Sequence, residues 1–159
     1  DLENVSLTLP RLPCEGETDG ITALAEYCRD CFADYDSERM KRLIKKKMQL
    51  GEIYIISHKD KTVGFVIFSK KNKTLDYIAV SSDYRNSGIA SRLMVTAMAQ
   101  FDIGDELSIV TFRDDHPQSD GAKRLYSKFG FGNPKNIVVQ GIPLTKITAI
   151  IPDKALTTE

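Results

Sequence analysis

Residues 75–94, LDYIAVSSDYRNSGIASRLM, change character twice within twenty positions. A strand ends at Val80, a polar turn carries Arg85, and a helix opens at Gly88. Within that helix Ile89, Leu93, Ala97 and Phe101 recur at helical spacing. A helix start leaves backbone N–H groups unpaired and carries partial positive charge, so anions settle there. Gly88 and Ala90 admit a ligand close to the backbone, and Arg85 adds a permanent charge beside that nest. The spacing R-x-x-G-x-A alone is common; its place between a strand and a helix is what makes it informative.

Downstream, Glu106–Phe112 reads as a strand, Asp120–Phe129 as a helix, and two short strands follow near 136–142 and 144–150. Upstream, Ile53–Ser57 and Thr62–Ser69 read as a hairpin joined across HKDK, with Lys73–Val80 as the third consecutive strand. Before them Ser37 starts a helix that runs to Leu50 and stops at Gly51. An earlier helix, capped by Thr18 or Asp19, puts Ile21, Leu24, Ala25, Cys28, Cys31, Phe32 and Tyr35 on one face when wound to Tyr35. Residues 5–9 alternate like a short strand before Pro10 and Pro13 force a loop. The order β, αα, βββ, α, β, α, ββ predicts an α/β (α+β) domain over residues 1–159. Its mixed, largely antiparallel sheet has a helical crossover in its middle and helices on both faces.

Composition excludes several classes. Lysine plus arginine and aspartate plus glutamate balance at 22 each in 159 residues, so no global field favours nucleic acid or an anionic membrane. The KRLIKKK run at 41–47 sits beside the stripe Met40, Leu43, Ile44 and Met48, which reads the lysines as a solvated face. No apolar run approaches a membrane span, and no signal-peptide pattern opens the given chain. Three cysteines, Cys14, Cys28 and Cys31, suit a reducing cytoplasm better than a disulfide framework. The Cys28–Cys31 pair falls mid-helix with no second Cys/His pair, which favours core packing over redox or zinc chemistry.

From Ile53 to Phe131 the chain resembles the GNAT acetyltransferase superfamily. The quoted stretch is similar to that family's acetyl-CoA segment, and AKRLYSKFGF, residues 122–131, is similar to its second signature. The resemblance implies a GNAT-like, mostly antiparallel sheet of six to seven strands. It also implies acetyl-CoA as co-substrate without a metal, and a primary amine, small or protein-borne, as acceptor. Amides from Asn86, Ser87, Gly88, Ile89, Ala90 and Ser91 would hold the pyrophosphate with Arg85, and Ser119 and Lys128 would lie along the same coenzyme. The strands ending at Val80 and Phe112 would splay, and backbone groups of Ile78, Ala79 and Val80 would pair with the pantetheine arm. An amide of Ile78 or Val80 would stabilise the oxyanion.

Tyr126 matches the family tyrosine that protonates the leaving thiolate. Asp76 holds the acidic position of the strand motif, on the face shared with Ile78 and Val80. It stays open as general base, acting through water, or as a carboxylate that tunes the groove. Two departures stand out. Ser119 replaces the Asn common three residues before Ala122, and the loop FRDDHPQSDG is long. Arg113, Asp114, Asp115 and His116 of that loop are open as substrate contacts or as mixed-charge surface. Asp30, Asp34 and Asp36 are open as an acceptor site for a cationic amine or as a solvated face. A non-catalytic acyl-CoA-binding module on the same fold is the rival reading. A homodimer is left open.

Overall fold

The computed structural model describes residues 9–113 and 119–153. Helices α1 (Thr18–Tyr27) and α2 (Ser37–Leu50) precede strands β1 (Ile53–His58), β2 (Lys61–Ser69) and β3 (Thr74–Val80). Helix α3 (Ile89–Met98), strand β4 (Glu106–Phe112), helix α4 (Ser119–Lys128) and strands β5 (Gly132–Val139) and β6 (Ile142–Ile150) follow. The strands form one sheet in the order β1-β2-β3-β4-β6-β5, antiparallel except where β3 meets β4. The expected strand at 5–9 falls mostly outside the described residues; Arg11 makes an isolated antiparallel bridge to Ile55.

Tight turns set the hairpins. Lys59 and Asp60 have φ of 53° and 63°, and Gln140 and Gly141 have φ of 49° and 80°. Two successive left-handed residues form the turn whose twist matches antiparallel strands. The second of these turns lies before Ile142, so the last hairpin reverses earlier than the sequence reading placed it. Pro143 therefore sits inside β6, opposite Val138.

Two apolar layers cover the two faces. Ile89, Leu93, Met94, Ala97 and Met98 of α3 pack with Val66, Phe68, Leu107 and Ile109, and Leu125 and Tyr126 of α4 join them with Phe129 just beyond its end. On the other face Ile21, Leu24, Ala25, Met40 and Ile44 of α1 and α2 pack with Ile53, Ile55, Phe65 and Ile67. Each such fully buried Leu, Ile or Phe contributes about 1.5–3 kcal/mol, so both helical layers are held firmly to the sheet.

Several local expectations are corrected. Helix α1 stops at Tyr27 rather than reaching Tyr35; Arg29–Cys31 makes a single 3-10 turn and Phe32 is extended. The reversal lets Tyr35 and Ser37 hydroxyls both donate to the Glu26 carboxylate, and sets Phe32 edge-on to Tyr77 at 5.0 Å. A helix continued to Tyr35 would hold Glu26 and Tyr35 about 13 Å apart along its axis. Cys28 is buried as expected, whereas Cys31 is exposed. The start of α1 takes no side-chain cap from Thr18 or Asp19; Glu17 precedes it and accepts from the Cys14 amide. On α2, Lys47 leaves the solvated lysine face and is buried.

Candidate functional site

Strand β3 holds β4 at one point only, Thr74 opposite Ser108, and beyond it the two strands part. The cause lies in the register with β2. Ile67 pairs with Tyr77 and Phe68 with Leu75, leaving Asp76 as the extra residue of a bulge. A bulge bends its strand and adds local twist, turning β3 away from β4. A cleft of about 1120 Å³ fills the gap and reaches both faces of the sheet.

The bulge also redirects Asp76. Leu75 and Ile78 both face the α3 side, and Tyr77 faces the α1–α2 side. Asp76 does not share the face of Ile78 and Val80 as strict alternation implied. Its Oδ2 lies 3.9 Å from Nζ of Lys47 on α2, and its Oδ1 accepts from Thr74 Oγ1 at 2.7 Å. Partial desolvation in the cleft raises the Asp76 carboxyl above its ordinary value, although the side chain stays 31% exposed, against the lowering effects of Thr74 and Lys47. Lys47 itself donates to Glu52 Oε1 at 2.8 Å and to the Phe68 carbonyl. Burial raises the Glu52 carboxyl, but Lys47 and the Lys70 amide lower it more, so the net direction is down.

At the mouth of the cleft, Asn86 and Gly88 are left-handed, at φ 63° and 86°. Gly88 occupies the cap position of α3, and no side chain caps the helix. No acidic residue lies in its first turn, so the Ile89, Ala90 and Ser91 amides are open to an anion. Gly88, Ile89, Ala90 and Ser91 all line the cleft. An added Cβ at Gly88 would meet nothing within 4 Å, so the left-handed backbone, and not crowding within the chain, is what calls for glycine there. Arg85 and Asn86 line the cleft too, although Arg85 Nε is engaged with the Val80 carbonyl at 3.2 Å. Ser87 is not among the lining residues; its hydroxyl donates to the Tyr84 carbonyl.

The Ser81 amide donates to Val63 of β2 at 2.8 Å. Alternation then directs the backbone groups of Ala79 toward β2 and those of Ile78 and Val80 toward the gap. Tyr126 enters the cleft from α4, edge-on to Phe131. Burial pushes its phenol up to about 12, with the Cys31 thiol adding to the rise. The phenol therefore keeps its proton throughout the neutral range and can donate it. Lys128 donates to Ser91 Oγ at 2.9 Å, tying α4 to the uncapped first turn of α3.

Several other expectations are resolved. Asp34 lines the cleft, with Arg39 paired to it at 3.8 Å, whereas Asp36 caps α2 through the Arg39 amide and Asp30 does not line the cleft. Arg113 spends its guanidinium on the Leu144 and Ile137 carbonyls, stapling the last hairpin to β4. Asp114, Asp115, His116 and the Ser119 side chain lie outside the described residues. Sequence reasoning missed Lys47, the β5–β6 hairpin at Val139, Gln140 and Ile142, and Gly64. Only Gly64 carried a legible signal, a lone glycine inside a strand pattern. A Cβ there would lie 2.8 Å from Ile89 Cγ2, so Gly64 lets the cradle helix seat on the sheet.

An open mixed sheet parted at its centre, with an uncapped helix start at the mouth of the gap and a protonated phenol inside, has the architecture of an acetyltransferase. Residues 49–132 match the family model described as an acetyltransferase (GNAT) domain, more than half of the chain, and the chain belongs to that family. Among solved structures, Ard1 from Thermoplasma volcanium superimposes with a TM-score of 0.73 at 18% identity, covering 94% of this chain and all of that one. The acetyl-CoA-bound structure of yncA from Salmonella typhimurium gives a TM-score of 0.68 at 13% identity, covering 96% and 98% of the two chains. A GNAT family acetyltransferase from Bacillus cereus gives 0.69 at 16% identity, with 91% and 97% covered. At these identities the likeness is one of fold. No curated protein matches by sequence.

Proposed function

We propose that the protein transfers the acetyl group of acetyl-CoA to a primary amine by direct attack, with both substrates bound together. The observation that carries this reading is the parting of β3 and β4 directly beside the uncapped start of α3. That geometry fits the donor: amides for a pyrophosphate, parted strand edges for an amide-bearing arm, and a cleft of about 1120 Å³ to hold both ligands. Acetyl-CoA supplies an activated thioester, and every other element comes from the chain.

Amides of Gly88 to Ser91 bind the donor's phosphates, with Arg85, Asn86 and Lys128 around them. Ile78 and Val80 present backbone groups to the pantetheine, and one of their amides faces the carbonyl oxygen as it gathers charge. Tyr126 holds a proton for the departing thiolate. Asp76, raised above the ordinary carboxylate value by burial, accepts a proton from the ammonium through water before attack. The acceptor enters from the side of Phe32, Asp34 and Tyr77, opposite Tyr126, and is a small or protein-borne amine. Cys14, Cys28 and Cys31, none of them in a disulfide among the described residues, support a reducing, cytoplasmic setting.

The test is thiol release from acetyl-CoA across a panel of amines, with Tyr126→Phe in parallel. Turnover of at least one amine is expected, with kcat reduced about a hundredfold in Tyr126→Phe and donor binding retained. Donor binding without turnover of any amine would replace this reading with the non-catalytic module. Failure to bind acetyl-CoA would remove both.

A further inference from the structure

The turn that delivers the anion cradle is held from three directions. The Ser81 amide is bound to Val63 of β2, and the Ser82 hydroxyl meets Tyr27 of α1 at 2.7 Å. The third hold comes from His58, the last residue of β1. Its Nδ1 is hydrogen-bonded to the Tyr84 hydroxyl, and the two rings meet edge-on with centroids 5.4 Å apart. His58 is 7% exposed, and its Nε2 is buried with no hydrogen-bond partner among the described residues. Burying one unpartnered ring nitrogen is costly, so the imidazole is kept there for what its other nitrogen does.

Tyr84 is the residue through which that bond reaches the cleft. It lines the cleft itself, packs against the α3 core, and immediately precedes Arg85. Its carbonyl accepts from Ser87, whose neighbour Gly88 caps α3. Two hydrogen bonds, joined by the chain itself, thus link β1 through Tyr84 and Ser87 to the cradle. Tyr126 and Asp76, and the Ile78 amide, stand on α4 and β3 and lie off this path.

We infer that His58 is a positioning residue for the donor: it fixes the Tyr84 ring and with it the turn that sets the cradle amides where phosphates bind. The inference rests on the acetyl-CoA reading of the cleft. Amides must be held to within about half an ångström to bind a ligand well. Releasing the turn therefore weakens donor binding and spares the chemical step. A merely structural histidine would instead lower stability and kcat without a selective effect on the donor.

The experiment measures the dissociation constant of acetyl-CoA by calorimetry, and KM and kcat by thiol release. It compares the wild type with His58→Phe, His58→Asn, Tyr84→Phe and the His58→Phe/Tyr84→Phe double variant. Phenylalanine keeps the ring volume and removes the bond; asparagine offers a donor and an acceptor near the position of Nδ1. His58→Phe is expected to raise the dissociation constant and KM about fivefold to tenfold, the loss of one hydrogen bond, with kcat within about twofold. His58→Asn is expected to recover most of the affinity. Tyr84→Phe removes the same bond from the other end, so the double variant is expected to be no weaker than the weaker single one. Unchanged affinity in His58→Phe and Tyr84→Phe, a fall in kcat at unchanged KM, or additive losses in the double variant would overturn the inference. A wild type that binds no acetyl-CoA would overturn the proposed function, and this inference with it. A wild type that binds, beside single variants that bind equally well, overturns the inference alone.

Discussion

Lys47 and Asp76 face each other at 3.9 Å, an ammonium from α2 and a carboxylate from the β3 bulge. The contact exists because the bulge turns Asp76 onto the α2 face, where Lys47 is already buried against Glu52. Desolvation raises the carboxyl while the Thr74 hydrogen bond and the ammonium restrain the rise, so Asp76 titrates above its own ordinary value. The acid limb of the kcat/KM profile is expected there, and Asp76→Asn is expected to lose that limb and about a hundredfold in kcat. Replacing Lys47 by Gln removes the restraint and is expected to move the limb to higher pH. A profile identical in wild type and Asp76→Asn would exclude Asp76 as the base.

Breaking the buried Lys47–Glu52 pair has a second, thermodynamic consequence. Side-chain exposures of 7% and 10% mean that Lys47→Gln takes the ammonium away from a buried Glu52 carboxylate, whose remaining hydrogen bond among the described residues comes from the Lys70 amide. A loss of about 3–5 kcal/mol is expected in denaturant unfolding at neutral pH. Replacing Lys47 and Glu52 together with apolar residues of similar volume is expected to cost much less. A loss in the double variant equal to the sum of the two single losses would show that the pair is not coupled.

Acid stability has a separate origin near the first helix. Glu17 binds Arg11 through both oxygens, at 2.8 and 2.7 Å, and accepts from the Cys14 amide. The Arg11 hydrogen bond and the Cys14 amide, against burial, hold its carboxyl at about 2, below the ordinary 4.5. Because the folded value is depressed, the stabilisation is complete above about 4.5 and is lost as pH falls toward 2. The pair is partly exposed, so its contribution is at most about 1 kcal/mol. Thermal unfolding followed from pH 6 to about 2 is expected to show a smaller decline in Glu17→Gln than in the wild type.

Gly64 links the sheet to the cradle. An alanine Cβ would stand 2.8 Å from Ile89 Cγ2 and 3.1 Å from Leu93 Cδ1, and both side chains are fully buried. Gly64→Ala is expected to cost about 1–3 kcal/mol as α3 is pushed off the sheet. Acetyl-CoA affinity is expected to fall with it, because the displaced helix carries the cradle amides. Unchanged melting temperature and affinity together would show that α3 tolerates the added methyl.

Local patterns were legible where local forces decide. The apolar stripe, N-terminal Ser37 and terminating Gly51 gave α2 its bounds, and Glu106–Phe112 was readable from its apolar content. The strand end, turn and helix start around Gly88 were readable because they are contiguous in sequence. What escaped was set by contacts distant in sequence. Helix α1 ends early because Glu26 collects hydroxyls from beyond the turn. Asp76 changes face because β2 imposes a bulge that no residue in β3 announces. Lys47 was assigned to the solvated face, and is buried because Glu52 and the Phe68 carbonyl wait for its ammonium. His58 and Tyr84 meet across 26 positions of sequence, beyond the reach of any motif.

The most direct test is calorimetric titration of acetyl-CoA, in the absence of any amine, into the wild type and Gly88→Val. The left-handed Gly88 and the open amides after it form the centre of the proposed donor site, and a valine there both strains the backbone and shields those amides. The account predicts saturable binding to the wild type, weakened about tenfold or more in Gly88→Val, with the circular dichroism of the two proteins alike. Absence of binding to the wild type, or equal affinity in the two proteins, would contradict it.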